Sequence, residues 1–359
     1  MYKIGELLET EWGDLRSWRI SPADGYAHVD GVFVETDTFA DPRSDRVFPI
    51  LIEEQPCMWL LLRSLLRQLT AARGREGASR PISVLDVGTG SGFFSLLCAR
   101  HFGCSVVAVD VSPRALEFAR KNARANGLEV SASLVDGISR KGHIHLAEGD
   151  IADWATMPPI AATRGFDIVL LTPPYNPTHP ALDQSVAKHA GAGELGQDSY
   201  QAQIDSVAHL LKPGGLCIIN HLSTFAESDV ELTRETQWWN RGGGSAPSYY
   251  ISRNLSPDYY APDQLCSDAL SSLFAVECLR NTVGLGENAS VTVVPGLSTA
   301  ISTREFIDLQ YADIWQDLPG FEHYWKRAIL GSRGRLAYVF MVVQSEAGTG
   351  WRVQKADLA

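Results

Sequence analysis

The sequence predicts an α/β fold built on a doubly wound parallel sheet, and three observations carry that prediction. Val84-Leu85-Asp86-Val87 is a short apolar strand running straight into Gly88-Thr89-Gly90-Ser91-Gly92, with glycine at every second position. An amphipathic segment follows at once, Phe93 to Phe102, with Phe94, Leu97 and Cys98 on one helical face. From Ile82 to Leu222, apolar strands alternate with helical segments, the pattern of strand–helix–strand units.

The elements before the glycine turn read as a separate small unit. Residues 1–25 are partly helical, with Ile4, Leu7, Leu8, Trp12 and Leu15 at helical spacing, and Trp12 and Trp18 are packing residues. Asp30-Gly31 between alternating apolar residues signals a hairpin, two strands over residues 26–39. Glu53-Glu54-Gln55-Pro56 opens a helix from Cys57 to Leu69, and Gly74 to Pro81 is a polar linker. Arg63, Arg67, Arg73, Arg75 and Arg80 are expected on a solvated helix face and in that linker.

After the strand Ser83–Val87 and its helix comes Ser105–Val109, ending in Asp110. Pro113 sits in the first turn of the next helix, Ser112 to Asn126, where its missing N–H costs little, and Gly127 ends that helix. Val130–Val135 and His143–Ala147 both read as strands. His143–Ala147 is favoured for the core, with the other as an inserted hairpin partner, because Phe166–Leu171 follows Asp150 at ordinary loop distance. A helix from Ser199 to Leu211, a turn at Lys212-Pro213-Gly214-Gly215 and a strand Leu216–Leu222 come next. Residues 224–335 break the alternation and are rich in Trp and Tyr, which suggests a lid or a small auxiliary core. Leu336–Gln344 is a last strand. Four parts follow: a substrate-covering unit 1–80, a core 81–223, an aromatic insertion 224–335, and a closing strand with its tail 336–359.

Composition narrows the function. With 359 residues and 45% hydrophobic content, the chain can bury a large core. Its net charge of −11 argues against broad phosphate-backbone binding, which needs basic surface. No apolar run approaches the roughly 18 residues of a membrane span, and Met1-Tyr2-Lys3-Ile4 is no secretory signal, so a cytoplasmic location is expected. The six cysteines form no C-x-x-C pair and read as buried free thiols. His143-x-His145 lacks a third ligand at a telling spacing, so no metal is expected.

The turn is G-x-G-x-G, with Phe93 where a dinucleotide fingerprint wants glycine, which argues against NAD. No Gly-Lys-Ser/Thr follows, so a P-loop is excluded. Asp110 at the end of the second strand suits ribose hydroxyls. Asp86, an extra acid just before the glycines, suits a cationic cofactor. S-adenosylmethionine, with its sulfonium and ammonium, fits that demand.

Val84–Gly92, Asp110, Asn122-Ala123-Arg124-Ala125-Asn126-Gly127-Leu128 and Thr172-Pro173-Pro174-Tyr175 resemble class I S-adenosylmethionine-dependent methyltransferases. Within them, the order is similar to the amino-methyltransferases that include release-factor glutamine methyltransferases and methyltransferases of nucleic-acid base amines. The resemblance covers about residues 45–223 and implies a Rossmann-like, mostly parallel, seven-stranded sheet with an N-terminal α+β unit and a large insertion before the last strand. It implies that Asp86, Gly88, Thr89, Gly90, Gly92, Phe93, Asp110, Val111 and Thr172 hold the cofactor. Asp150 and Ile151 are implied at its adenine, with Asp136 as competitor for Asp150.

In the family, an Asn-Pro-Pro-Tyr box accepts hydrogen bonds from a planar –NH₂ and stacks an aromatic on it. The two prolines make the loop rigid and set the orientation in advance. Here Thr172 replaces the asparagine, and a hydroxyl is shorter and also donates. Thr172, Pro173 and Tyr175 are the expected catalytic residues, with Glu53, Glu54, Asn176 and Trp238 at the acceptor. The expected activity is N-methylation of a small-molecule or amino-acid-like acceptor. Behind it stand a protein glutamine or peptide, a nucleic-acid base amine, and a non-catalytic cofactor-binding homologue.

Overall fold

The computed structural model describes residues 17–38, 40–51, 54–76, 80–131, 141–157, 160, 165–174, 203, 206–207 and 209–226, with further strands at 250–251, 260–261, 289–295 and 334–345. Glu53, Asp136, Tyr175, Asn176 and Trp238 lie outside the described residues.

Three short antiparallel strands come first: β1 (Arg19–Ser21), β2 (Tyr26–Val29) and β3 (Val32–Glu35). The expected hairpin is present. Asp30 (φ 47°) and Gly31 (φ 74°) are both left-handed, as a two-residue turn between right-twisted strands requires. Asp30 is held there by its carboxylate, which accepts from Trp18 Nε1 at 2.8 Å, Trp59 Nε1 at 2.7 Å and Arg63 at 2.8 Å. Trp59 and Arg63 belong to α1 (Gln55–Glu76).

Two expectations about α1 are corrected here. Arg63 is 5% exposed, not on a solvated face, because its guanidinium is buried only together with the Asp30 carboxylate. The helix also runs through Gly74 to Glu76, shortening the linker, because Arg73 reaches Pro81 O at 3.2 Å and the Asp167 carboxylate.

The main sheet contains β4 (Ser83–Val87), β5 (Ser105–Asp110), β6 (Val130–Ser131), β7 (Ile144–Glu148), β8 (Phe166–Leu171), β9 (Leu211–Ala226), β12 (Ala289–Pro295) and β13 (Gly334–Ser345). A separate pair, β10 (Tyr250–Ile251) and β11 (Tyr260–Ala261), is antiparallel. The order is β12-β13-β9-β8-β4-β5-β7-β6, parallel except for β13, which runs against both neighbours. All five residues of β4 are buried, as in a central parallel strand covered on both faces. Strand order reverses at β4, so a crevice opens between the carboxyl ends of β5 and β8, where ligands bind in such sheets.

Three details differ from the sequence reading. β6 is parallel to β7, not its hairpin partner: Leu128 and Val130 rest on the core as the preceding helix ends, so the chain enters this edge in the common direction. β9 begins at Leu211 rather than Leu216, because Leu211 pairs with Phe166 and a register shift absorbs Lys212–Gly215. Among the described residues the sheet has eight strands rather than seven, counting the two-residue β6, and β12 comes from within the stretch read as an insertion.

The helix α2 (Phe93–Phe102) and α3 (Pro113–Ala125) occupy their expected places. Alternate residues of the strands feed two cores. Val84, Val106, Ile168 and Ile218 pack with α1, α2 and the small N-terminal sheet, while Leu85, Val107, Val169 and Ile219 pack with Ile151, Met157, Val207 and Leu210.

Candidate active site

A cavity of about 300 Å³ lies at the carboxyl ends of β4, β5 and β8. Its floor is the glycine turn. Gly88 N–H and Thr89 N–H donate to Val109 O at 2.9 and 3.0 Å, which pins the turn against β5. Gly88 has φ 72°, and a Cβ on it would lie 3.2 Å from the Thr172 carbonyl oxygen. Gly92 has φ 84°, and its missing Cβ would sit 3.1 Å from Ala119 Cβ on α3. These glycines therefore answer to backbone handedness and to the close approach of β8 and α3.

Asp110 lines the cavity as expected. Its Oδ2 accepts from Gly90 N–H at 2.9 Å and its Oδ1 from Ser112 N–H at 2.9 Å, fixing the carboxylate while leaving each oxygen a second lone pair. Burial pushes its pKa up. Beside it, Val111 lines the wall and is 56% exposed, an apolar surface left for a flat ligand. Asp150 and Ile151, after the neighbouring strand β7, line the cavity too, with Asp150 accepting from Ala152 N–H at 2.9 Å. Phe93 and Phe94 line the cavity with rings edge to face, 5.2 Å between centroids.

Asp86 is placed differently from the expectation. It is fully buried beneath the turn, not among the residues lining the cavity. Its Oδ2 accepts from Thr89 Oγ at 2.8 Å and Ser95 Oγ at 2.6 Å, so it fastens the turn to α2. Oδ1 has no hydrogen-bond partner among the described residues, and burial pushes the carboxyl pKa up. The sequence shows an acid before the glycines, and the fold places its side chain under the turn, bonded to Thr89 and Ser95.

Thr172, Pro173 and Pro174 line the cavity beside the turn. The Thr172 hydroxyl faces back to the Val87 and Gly88 carbonyls, at 3.2 and 3.3 Å. Glu54 also lines the cavity, while the expected Glu53, Tyr175, Asn176 and Trp238 fall outside the described residues.

Sequence reasoning missed the strap Asp45–Ile50, of which Asp45, Arg46, Val47, Phe48 and Ile50 line the cavity. It also missed Gln203 on the rim and Asn220 behind Glu54. The strap has no strand or helix period, and its position depends on contacts with distant residues, Asp37 among them. That buried acid accepts from Val47 N–H at 2.7 Å and from Arg114 at 2.6 Å.

A family profile described as a methyltransferase domain matches residues 84–188, which span the glycine turn, Asp110 and Thr172. That match makes residues 84–188 similar to a methyltransferase domain. The chain is 32% identical over 200 residues to a release factor glutamine methyltransferase of Chlorobaculum tepidum, covering 51% of this chain and 63% of that one. It is 29% identical to one of Moorella thermoacetica, covering 51% and 56%. A Streptomyces pristinaespiralis 4-amino-L-phenylalanine/4-methylamino-L-phenylalanine methyltransferase is 28% identical, covering 46% and 52%. The chain thus spans a little over half the length of these relatives. The donor set of the methyltransferase domain fits S-adenosylmethionine: paired carboxylate oxygens at Asp110, apolar walls at Val111 and Ile151, and a glycine floor with no side chain in the way. Among the described residues, no helix is long and apolar enough to cross a membrane, and no group of acids, histidines or cysteines could hold a metal.

Proposed function

We propose that this chain is an S-adenosylmethionine-dependent N-methyltransferase whose acceptor is the side-chain amide of a glutamine in a protein or peptide. The observation carrying the proposal is the similarity of this chain to release factor glutamine methyltransferases, in a segment where Thr172-Pro173-Pro174 lines the same cavity as the glycine turn. This reverses the order suggested by charge and by Thr172 alone, which put a small molecule first.

The residues serve that chemistry by position. S-adenosylmethionine supplies an electrophilic methyl when bound. Asp110 would receive ribose hydroxyls, Val111 and Ile151 would offer apolar surface to the adenine, and Asp150 would accept from its exocyclic amine. The rigid Pro173-Pro174 segment presents backbone carbonyls to a flat –NH₂, orienting the nitrogen before reaction. Asp86 acts indirectly, by holding the turn through Thr89 and Ser95.

A second reading, an amino-acid-like small molecule bearing an amine, draws on the Streptomyces relative. A nucleic-acid base is disfavoured: the lining carries Asp45, Glu54, Asp110 and Asp150 against Arg46. The test is incubation with isotopically labelled S-adenosylmethionine, a panel of glutamine-containing peptides and a panel of aromatic and aliphatic amines, read by mass spectrometry. Label on a glutamine side chain supports the proposal, and label confined to the amines replaces it with the second reading. Cofactor binding without any transfer would mark a non-catalytic homologue.

A further inference from the structure

Resting on the N-methyltransferase reading above, we propose that Glu54 receives the hydrogens of the acceptor nitrogen and takes up the proton released on methylation, with Asn220 as its positioning residue.

Glu54 is 4% exposed yet lines the cavity. Asn220, fully buried on β9, donates from Nδ2 to Glu54 Oε1 at 2.7 Å. Leu171 pairs with Ile219 in the parallel register, so Asn220, within β9, is next in register to Thr172, which follows the end of β8. A carboxylate drawn out of water is costly unless it is hydrogen-bonded or used. Here a side-chain amide from β9 holds one of its oxygens in place.

Thr172 leaves this task open. The family resemblance assigns acceptance from the –NH₂ to an asparagine at that position. In this chain the shorter hydroxyl is turned toward the Val87 and Gly88 carbonyls. Glu54 is a longer side chain with two acceptor oxygens, one of them held by Asn220, and it lines the same cavity just ahead of α1.

The step balances. The nitrogen lone pair forms the N–C bond as the C–S bond breaks, and that electron pair stays on sulfur, which becomes a neutral thioether. The nitrogen loses one proton to the Glu54 carboxylate, which passes it to water when the product leaves. A positive sulfonium and a negative carboxylate become two neutral groups, which favours the step in a low-dielectric cavity. The other charged groups facing this cavity among the described residues are Asp45 and Arg46 on the strap, Asp110 at the end of β5 and Asp150 after β7.

The test uses the full chain and the acceptor that the wild type labels best in the peptide and amine panels. Glu54→Gln keeps the shape and the bond from Asn220 but cannot take a proton. Its kcat is expected to fall about 100-fold or more, with S-adenosylmethionine affinity by calorimetry within about twofold of wild type. Binding of the acceptor to the S-adenosylhomocysteine-loaded variant weakens about tenfold. The wild-type kcat declines toward acid pH, and the Glu54→Gln profile is flat. Glu54→Asp restores part of the rate, and Asn220→Ser lowers kcat while keeping the wild-type pH dependence. An active wild type beside a Glu54→Gln variant of equal kcat and unchanged pH profile overturns the assignment while the proposed function stands. A wild type that binds S-adenosylmethionine but labels no acceptor overturns both.

Discussion

Asn122 on α3 forms a two-way hydrogen-bonded pair with Glu35 on β3: its Oδ1 accepts from Glu35 N–H at 2.9 Å and its Nδ2 donates to Glu35 O at 2.9 Å. The same Nδ2 donates to Ser91 O in the glycine turn at 2.9 Å. One turn later, Asn126 repeats the device with Phe33. Two asparagines at helical spacing thus satisfy the open edge of the N-terminal sheet and hold it against the methyltransferase domain, as a paired strand would.

Asn122→Ala should destabilise the fold by about 2–4 kcal/mol, since a buried carbonyl and a backbone N–H lose their partners at once. Chemical denaturation with an unchanged slope checks this. A loss under about 1 kcal/mol would mean that water replaces the amide.

Asp110→Ala should weaken S-adenosylmethionine binding by about 10- to 100-fold, the range for removing hydrogen bonds to a charged group. Calorimetry measures it directly. Unchanged affinity would move the ribose contact to another residue.

Gly88→Ala should abolish tight cofactor binding and cost about 1–2 kcal/mol or more in stability. The left-handed backbone penalises a Cβ, and the Thr172 carbonyl lies 3.2 Å from where it would be. A variant that binds cofactor as wild type does would show that β8 shifts without consequence.

Asp86 gives a pH prediction with a definite sign. Burial raises its folded-state pKa above the ordinary 3.8, so ionisation costs stability. The contribution is fully present below the ordinary value and is lost as pH rises through the raised one. Relative to Asp86→Asn, which does not titrate, the wild type should therefore gain stability as pH falls from neutrality toward 4. Denaturation midpoints of both proteins across that range provide the measurement, and a constant difference would refute the raised pKa.

Asp30→Ala should cost about 3–5 kcal/mol, because Arg63 remains buried without this carboxylate and two indole N–H groups lose their acceptor. Thermal unfolding tests it. Replacing Arg63 with Met in the same background should recover part of the loss.

Local chemistry wrote much of this protein into the sequence. The glycine spacing after Val87, Ser112-Pro113 at the start of α3 and Asp30-Gly31 in the hairpin each depend on sterics within a few residues, and each is where it was read. Asp110 and Asp150 were legible for the same reason, since a strand end fixes where its next residue goes. The tertiary structure decided what depends on distant neighbours. It turned Asp86 under the turn rather than toward the ligand, and turned the Thr172 hydroxyl to the carbonyls of β4. It buried Arg63 against Asp30, and brought Asn220 to Glu54 across 166 residues. Backbone form follows near neighbours, but a polar side chain takes its partner from whichever strand or helix the completed sheet sets beside it.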